Sequence, residues 1–195
     1  MNQEPALVIF IAAIFTGNIL LSKFLGMCSF IACAGQIRTA LGLGTAVTFV
    51  MTMTTMLNYA LYHLVLVRLE IEHLTLIIFI AVIAAFVQFV EMFVERFSPK
   101  LYFALGIFLP LITVNCAILG ISLIMVLRSF SFGQTVAYSF GSGIGWMLAI
   151  ITMGALRKRL IFARPLRNFG AAGITAILAG LMALAFIGFS GMASL

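Results

Sequence analysis

Two cysteines, Cys28 and Cys116, are the residues best suited to carry chemistry in this sequence. Each lies beside a residue that disfavours a continuous helix, because Gly26 precedes Cys28 and Asn115 precedes Cys116. Thiolate sulfur is a soft ligand that suits iron–sulfur clusters, but such a cluster normally takes four cysteines. The residue types alone therefore leave two interpretations open: half of a metal site shared with another subunit, or small apolar residues packed in the core. Cys33 has no counterpart in the second half of the chain and is interpreted as structural.

Few other polar groups fall inside apolar stretches. Lys23 and Glu91 are the ionisable ones, and ionisable residues in membrane segments are functional candidates by default. Glu91 is followed closely by Glu95 and Arg96, so it is interpreted as a charge at the end of a helix rather than a cation ligand. Two roles are open for Lys23: it pairs with backbone carbonyls at a helix break, or it lowers the pKa of a nearby thiol.

The composition identifies the environment in which these residues must be positioned. Of 195 residues, 64% are apolar and 8% are charged, whereas soluble domains average about 45–50% and about 25%. The sequence has five acidic residues and no Asp. These features disfavour soluble hydrolases, metal-dependent phosphotransferases and secreted disulfide scaffolds. They predict one integral membrane domain that comprises residues 1–195.

Six apolar stretches are each long enough to cross a bilayer once, since a crossing takes about 20 residues. They cover residues 5–31, 40–67, 74–94, 101–127, 134–156 and 169–192. A helix is the only open-chain structure that satisfies its backbone polar groups in lipid. The predicted fold class is therefore an all-α integral membrane protein with six transmembrane helices.

The first and fourth stretches are predicted to be broken helices. The first contains Gly17, Asn18, Lys23 and Gly26, and the fourth contains Gly106, Pro110, Thr113 and Asn115. Proline in a helix removes a hydrogen bond and clashes with the preceding turn. Three crossings in each half require any repeat to be inverted, so the prediction is two inverted three-helix repeats, about 1–98 and 99–195. Helix breaks at matching places in inverted halves point to a site near the midplane.

Basic residues predict the orientation. With six crossings, eight of them fall on one side and two, Arg68 and Arg128, fall on the other. The positive-inside rule then places both termini outside the cytoplasm and the 157–167 loop inside it. The eight residues are Arg38, Arg96, Lys100, Arg157, Lys158, Arg159, Arg164 and Arg167.

Two groups of small residues predict close helix–helix approach rather than chemistry. The first group is Gly141, Gly143 and Gly145, which Trp146 follows. The second group comprises Gly170, Ala171, Ala172, Gly173, Ala176, Ala179, Gly180 and Ala183.

Four segments resemble one known family, the NqrE/RnfA family of small membrane subunits. Its members are found in sodium-pumping NADH:quinone reductases and in Rnf electron-transport complexes. The segments are FLGMCSF at 24–30, LGIFLPLITVNCAI at 105–118, FGSGIGWMLA at 140–149 and AGLMALAFIGFSG at 179–191. The resemblance covers nearly the whole chain, and the motif around Cys116 is highly specific.

The resemblance implies six helices in inverted halves, paired with a homologous sister subunit (NqrD or RnfE). It also implies a [2Fe-2S] cluster shared between the two subunits. By motif match, Cys28 and Cys116 are the cluster ligands of this chain, and the sister subunit supplies the others. The implied function is a membrane electron-relay subunit of a redox-driven Na⁺ or H⁺ pump that passes electrons between cytoplasmic and extracytoplasmic cofactors. The resemblance further implies that the chain is a subunit of an ion-translocating oxidoreductase in the bacterial inner membrane, with no complete active site in this chain alone.

Two branches of the family remain open, and so do two other classes of function. The segments around Cys28, Cys116 and Trp146 are similar to NqrE, whereas residues 22–26 and the short link at 68–73 are more similar to RnfA of the ferredoxin-oxidising Rnf complex. The NqrE branch is favoured. The alternatives of another class are a small-molecule-binding membrane transporter subunit and a pure assembly scaffold.

Overall fold

A computed structural model describes residues 5–33, 37–69, 71–97, 109–160 and 170–188, and within these residues the regular structure is entirely helical. In chain order the helices are α1 (Ala6–Ile14), α2 (Ile19–Lys23), α3 (Met27–Cys33), α4 (Ile37–Leu61), α5 (Thr75–Phe97), α6 (Leu109–Thr113), α7 (Cys116–Leu127), α8 (Phe132–Leu160) and α9 (Gly170–Ile187). After α4 the chain forms a π-helical segment, Tyr62–Leu66, and a short α-helical turn, Val67–Leu69. A 3₁₀ turn, Glu72–Leu74, precedes α5.

Three of the described helices are long and apolar enough to cross a membrane: Ala40–Leu69, Thr75–Phe93 and Phe132–Arg159. Leu111–Leu127 and Gly173–Ile187 are shorter apolar helices. The predicted all-α membrane architecture is thus confirmed. The number of crossings, six, stays a prediction.

The first apolar stretch is broken twice, as the glycines predicted. The backbone leaves helical geometry at residues 15–18, between α1 and α2, and at residues 24–26, between α2 and α3. At the second of these, Phe24 has φ 54° and Gly26 has φ 83°. Both values lie in the left-handed region, which glycine enters without steric cost.

The fourth apolar stretch is also broken, as predicted, but not at Pro110. Pro110 lies within α6, and the chain leaves the helix four residues later, at Val114 and Asn115.

The glycines of α8 provide the close packing that the sequence predicts. A Cβ added to Gly143 would lie 2.9 Å from the Cα of Thr48, and one added to Gly141 would lie 2.8 Å from the carbonyl oxygen of Phe10. On the opposite side of the same interface, Gly44 leaves room for the side chain of Met147. As a result α4 and α1 both pack closely on α8.

The second group of small residues does not behave as predicted. Ala179 and Ala183 are buried, but no atom lies within 4 Å of a Cβ added to Gly170 or Gly180. The reason is that α9 turns part of its surface away from the rest of the chain, where large side chains such as Leu184 are also exposed. Close approach at these two glycines would require a surface other than the described residues.

The broken segments lie against the long helices of the other half of the chain. Segments α1 and α2 contact α8, and α2 also contacts α9. Conversely, α7 contacts α4, and both α6 and α7 contact α5. The two sets of breaks are therefore held by elements distant from them in sequence.

Part of the predicted basic loop is helical. Arg157, Lys158 and Arg159 form the last turn of α8, and residues 161–169 lie outside the described chain. Basic side chains interact favourably with the partial negative charge at a helix C-terminus. The orientation inferred from these charges stays a prediction.

Candidate functional site

The starts of two helices meet at the predicted cysteine pair. The backbone N–H of Gly26 donates a hydrogen bond to the sulfur of Cys116, with a nitrogen–sulfur distance of 2.9 Å. Cys116 is the first residue of α7, and Cys28 lies in the first turn of α3, two residues after Gly26. The fold thus brings together two short segments that are 90 positions apart in the sequence.

The turn between α2 and α3 positions the Gly26 N–H. Phe24 ends α2 in a left-handed conformation, and the N–H of Leu25 returns to the carbonyl of Ile19. Gly26 then approaches its neighbours so closely that an added Cβ would lie 2.7 Å from the indole nitrogen of Trp146 and 3.3 Å from the Cβ of Ala117. Both the φ angle of Gly26 and this lack of space require glycine at the position.

Asn115 sets the start of the other helix. Its side-chain oxygen accepts a hydrogen bond from the N–H of Ala117 at 3.0 Å, which is the geometry of an N-cap. Its side-chain amide donates to the hydroxyl of Ser29 at 3.5 Å, and that hydroxyl donates to the carbonyl of Gly26 at 3.0 Å. A chain of hydrogen bonds therefore joins the residue before Cys116 to the turn before Cys28.

Both sulfur-bearing side chains are exposed and unoxidised in the described structure. Val114, next to the pair, is 75% exposed, while Asn115 and Ser29 behind it are buried. This arrangement overturns the interpretation that the two cysteines are small apolar core residues. The pair instead lies at the surface of this chain, with a buried polar support behind it, where the residues of another subunit can reach it.

The other candidate residues are not part of this site. Lys23 lines a separate cavity with Ser22 and Arg128. The predicted pairing of Lys23 with backbone carbonyls is not found within the described residues. Glu91 is half-buried on α5, and the side chain of Cys33 lies outside the described structure.

The chemistry of the donor set fits half of an iron–sulfur site. A cluster of this kind takes four thiolates, and hydrogen bonds to the sulfurs tune its reduction potential. This chain offers two exposed thiols and one backbone N–H that already donates to sulfur. Among the described residues, no group of three or more His, Cys, Asp or Glu side chains is placed to hold a metal ion.

Three residues contribute to the site in ways that the sequence does not reveal. Ser29 carries no sequence signal, Gly26 is recognisable only as a helix breaker, and Trp146 only as a neighbour of packing glycines. Trp146 is fully buried, and its indole N–H has no hydrogen-bond partner in the described chain. The signal that could have identified Gly26 is its position two residues before a cysteine, where a left-handed turn can aim an N–H at sulfur.

The chain is similar over nearly its whole length to a family of membrane subunits. A family model described as "Rnf-Nqr subunit, membrane protein" matches residues 6–193. The chain is 47% identical over 196 residues to the E subunit of the Na⁺-translocating NADH-quinone reductase of Serratia proteamaculans, with 97% of this chain and 99% of the relative covered. It is 48% identical over 201 residues to the E subunit of the Dichelobacter nodosus reductase, with the same coverage. The E subunit of the reductase of Neisseria meningitidis serogroup C is 45% identical over 195 residues, again with the same coverage.

Proposed function

The chain belongs to the Rnf-Nqr family of membrane subunits, and we propose that it is the E subunit of a Na⁺-translocating NADH–quinone reductase. The support is the near-complete coverage of relatives that carry this name at 45–48% identity. These relatives favour the NqrE branch over the RnfA branch. As part of such a complex, the chain contributes to oxidoreduction without a complete active site of its own.

Within that complex we propose that Cys28 and Cys116 are two of the four ligands of a [2Fe-2S] cluster, and that a homologous sister subunit supplies the other two. The observation that carries this proposal is the hydrogen bond from the Gly26 N–H to the Cys116 sulfur, at an exposed cysteine pair. Exposure is what a shared site requires, because the remaining ligands must approach from outside the chain.

The residues around the pair prepare it for negative charge. The Gly26 N–H donates to sulfur, and the N-termini of α3 and α7 carry partial positive charge, which favours anionic ligands. Fully buried Trp146 fills the space behind Gly26. When bound, a cluster at this position supplies one-electron transfer. The role of this chain is then to hold two ligands in a fixed geometry between cytoplasmic and extracytoplasmic cofactors.

The breaks next to the cysteines provide a route from electron transfer to ion movement. The reciprocal contacts of α1 and α2 with α8, and of α7 with α4, support the predicted inverted repeat. A change of charge at the cysteine pair is poorly screened in surroundings of low dielectric constant. It therefore biases which side of the adjoining breaks is open, and this bias would couple the redox state to cation passage.

The test is cysteine replacement in the intact complex. Cys28→Ala and Cys116→Ala should each abolish the electron paramagnetic resonance signal of the membrane cluster, quinone reduction by NADH, and redox-driven Na⁺ uptake into vesicles. Cys33→Ala is the matched control and should keep all three. An unchanged iron content and signal in both site variants would remove the proposal.

The same experiment separates the other two classes of function. If the intact complex contains no iron at this position but retains a bound small molecule, a transporter subunit is favoured. If both cysteine variants keep full turnover, the chain is an assembly scaffold.

A further inference from the structure

A polar cavity of about 230 Å³ lies away from the cysteine pair, between the first helix break and the turn that follows α7. Two basic side chains, Lys23 and Arg128, contribute to its lining. The polar residues Thr16, Ser22 and Tyr138 also line it, and no described acidic side chain does. Two like charges in one cavity repel each other, so the cavity favours an anionic occupant.

The same backbone geometry places Lys23 and Arg128 at the cavity. Lys23 is the last residue of α2 and is followed by Phe24 with φ 54°, while Arg128 ends α7 and is followed by Ser129 with φ 50°. A left-handed conformation at a residue other than glycine costs about 1–3 kcal/mol. The fold accepts this cost twice, and each time the helix ends at a basic residue that lines the cavity.

The charges of the cavity do not cancel within the described chain. Each helix C-terminus carries a partial charge of about −0.5, so the two helix ends offset roughly one of the two positive charges. The hydroxyl groups of Thr16 and Ser22 donate to the carbonyl oxygens of Ala12 and Asn18, at 3.1 and 2.7 Å. The ammonium of Lys23 and the guanidinium of Arg128 therefore remain available as donors to a ligand.

We propose that this cavity is a phosphate-binding site, filled by the headgroup of an anionic membrane phospholipid. A guanidinium binds phosphate through two parallel hydrogen bonds, and an ammonium adds a compact point charge. The volume lies below the range of about 300–1,000 Å³ for drug-sized ligands, which suits a headgroup rather than a larger cofactor.

The surroundings of the cavity favour a lipid over a free phosphate ion. Ile9 and Phe130 line its apolar side. Leu127, next to Arg128, is 82% exposed, and Phe132 is also exposed. A phospholipid matches both parts of this surface, because its phosphate meets the two cations while its acyl chains cover the apolar side chains.

The test uses the intact complex, delipidated in detergent and titrated with phosphatidylglycerol. The midpoint of thermal unfolding should rise, because a ligand that binds only the folded state stabilises it. Lys23→Gln and Arg128→Gln should each weaken this binding about tenfold to a hundredfold, the range expected for loss of a charge-assisted hydrogen bond. Arg68→Gln removes an exposed basic residue elsewhere and should leave the binding unchanged. Zwitterionic phosphatidylcholine should bind more weakly than phosphatidylglycerol.

Each other outcome has a definite meaning. Equal stabilisation by inorganic phosphate alone would overturn the headgroup assignment and leave a free anion as the ligand. Equal effects of Arg68→Gln and Arg128→Gln would overturn the site, and so would the lack of any lipid effect, as expected if a carboxylate of a partner subunit already occupies the cavity. Arg128→Lys keeps the fold and the charge but loses the paired hydrogen bonds, so it should show an intermediate affinity even if Lys23→Gln fails to fold.

Discussion

Asn18 and Asn115 each cap a helix that follows a break. We call each break, together with its capping asparagine, a joint, and the two joints differ in their other contacts. Each side-chain oxygen accepts a hydrogen bond from the backbone N–H two residues later, at 3.1 Å from Leu20 and 3.0 Å from Ala117. Both asparagines are almost fully buried, with exposures of 1% and 2%. The capping device is therefore identical, and the difference lies in what the other end of each side chain contacts.

The side-chain amide of Asn18 ties its joint to another helix. It donates to the carbonyl oxygen of Gly145 at 2.8 Å and lies 3.3 Å from that of Ile14, so it ties the break to α8. Gly145 allows this approach, because an added Cβ would lie 3.0 Å from the carbonyl oxygen of Ile14.

The side-chain amide of Asn115 holds its joint less tightly. Its single described partner is the hydroxyl of Ser29 at 3.5 Å, at the long limit for a hydrogen bond. The residue after it is Cys116, which is exposed. The break at Asn18 is therefore tied to α8, whereas the break at Asn115 has a weaker hydrogen bond and lies next to the exposed thiol of Cys116. A membrane protein that must change shape at its site would need this division.

The largest effect is expected from Gly26→Ala, in the turn whose N–H donates to the sulfur of Cys116. The substitution forces a Cβ to within 2.7 Å of the Trp146 indole and places alanine at φ 83°. We expect a loss of more than about 2 kcal/mol of unfolding free energy and loss of the signal of the proposed cluster. Gly133→Ala, at a glycine with open space around it, is the control and should be neutral or slightly stabilising. Denaturant unfolding of the purified subunit pair would measure both.

Asn18→Ala should come next, because it removes a cap and the tie to α8 together. We expect a loss of about 2 kcal/mol, the sum of a cap and a buried hydrogen bond. Asn18→Ser restores an oxygen for the cap but not the amide donor, so it should recover about half of the loss. If the serine variant recovers everything, the tie to Gly145 contributes nothing and the contrast between the joints fails.

Asn115→Ala should cost less stability but affect the site more. Only the cap is lost at full strength, so we expect about 1 kcal/mol. The start of α7 carries Cys116, and so the midpoint potential and spectrum of the cluster should change in this variant and stay constant in Asn18→Ala. A redox titration of both variants tests this expectation. Equal shifts of the midpoint potential in Asn115→Ala and Asn18→Ala would contradict the special role of Asn115 at the site.

Ser29→Ala should have the smallest effect. The Gly26 carbonyl keeps its bond from the Phe30 N–H at 3.1 Å when the hydroxyl is removed. The expected cost is below about 1 kcal/mol. Ser139→Ala is a matched control, since the Ser139 hydroxyl makes the same kind of bond, to the carbonyl of Val136 at 3.1 Å in α8. A cluster signal altered by Ser29→Ala and not by Ser139→Ala would show that the weak link to Asn115 matters.

Several features of the fold could be predicted because they depend on local chemistry. Apolar runs of sufficient length predict membrane helices, and Gly17 and Gly26 predicted breaks that the structure contains. The exact position of the break before α7 could not be predicted in this way. The sequence offers both Pro110 and Asn115 as places for this break. Only the structure distinguishes them, because Pro110 lies within α6 whereas the side chain of Asn115 caps α7.

Only part of the candidate site could be predicted from the sequence. Cys28 and Cys116 could be identified by residue type and by their motifs. The donor to Cys116 could not, because the Gly26 N–H is a backbone group whose role depends on a turn and on a helix 90 positions away. The cavity with Lys23 and Arg128 was equally hidden, since the sequence distinguishes Arg128 only as one charge among the loops.

The sequence by itself determined that this is a membrane protein, where its apolar segments lie and which residues are candidates for the site, because each of these follows from side-chain chemistry and local backbone preference. The tertiary structure alone decided which breaks face each other, which glycines are packed and which thiols are exposed. Those properties depend on contacts between segments far apart in the chain, and such contacts exist only once the helices have packed.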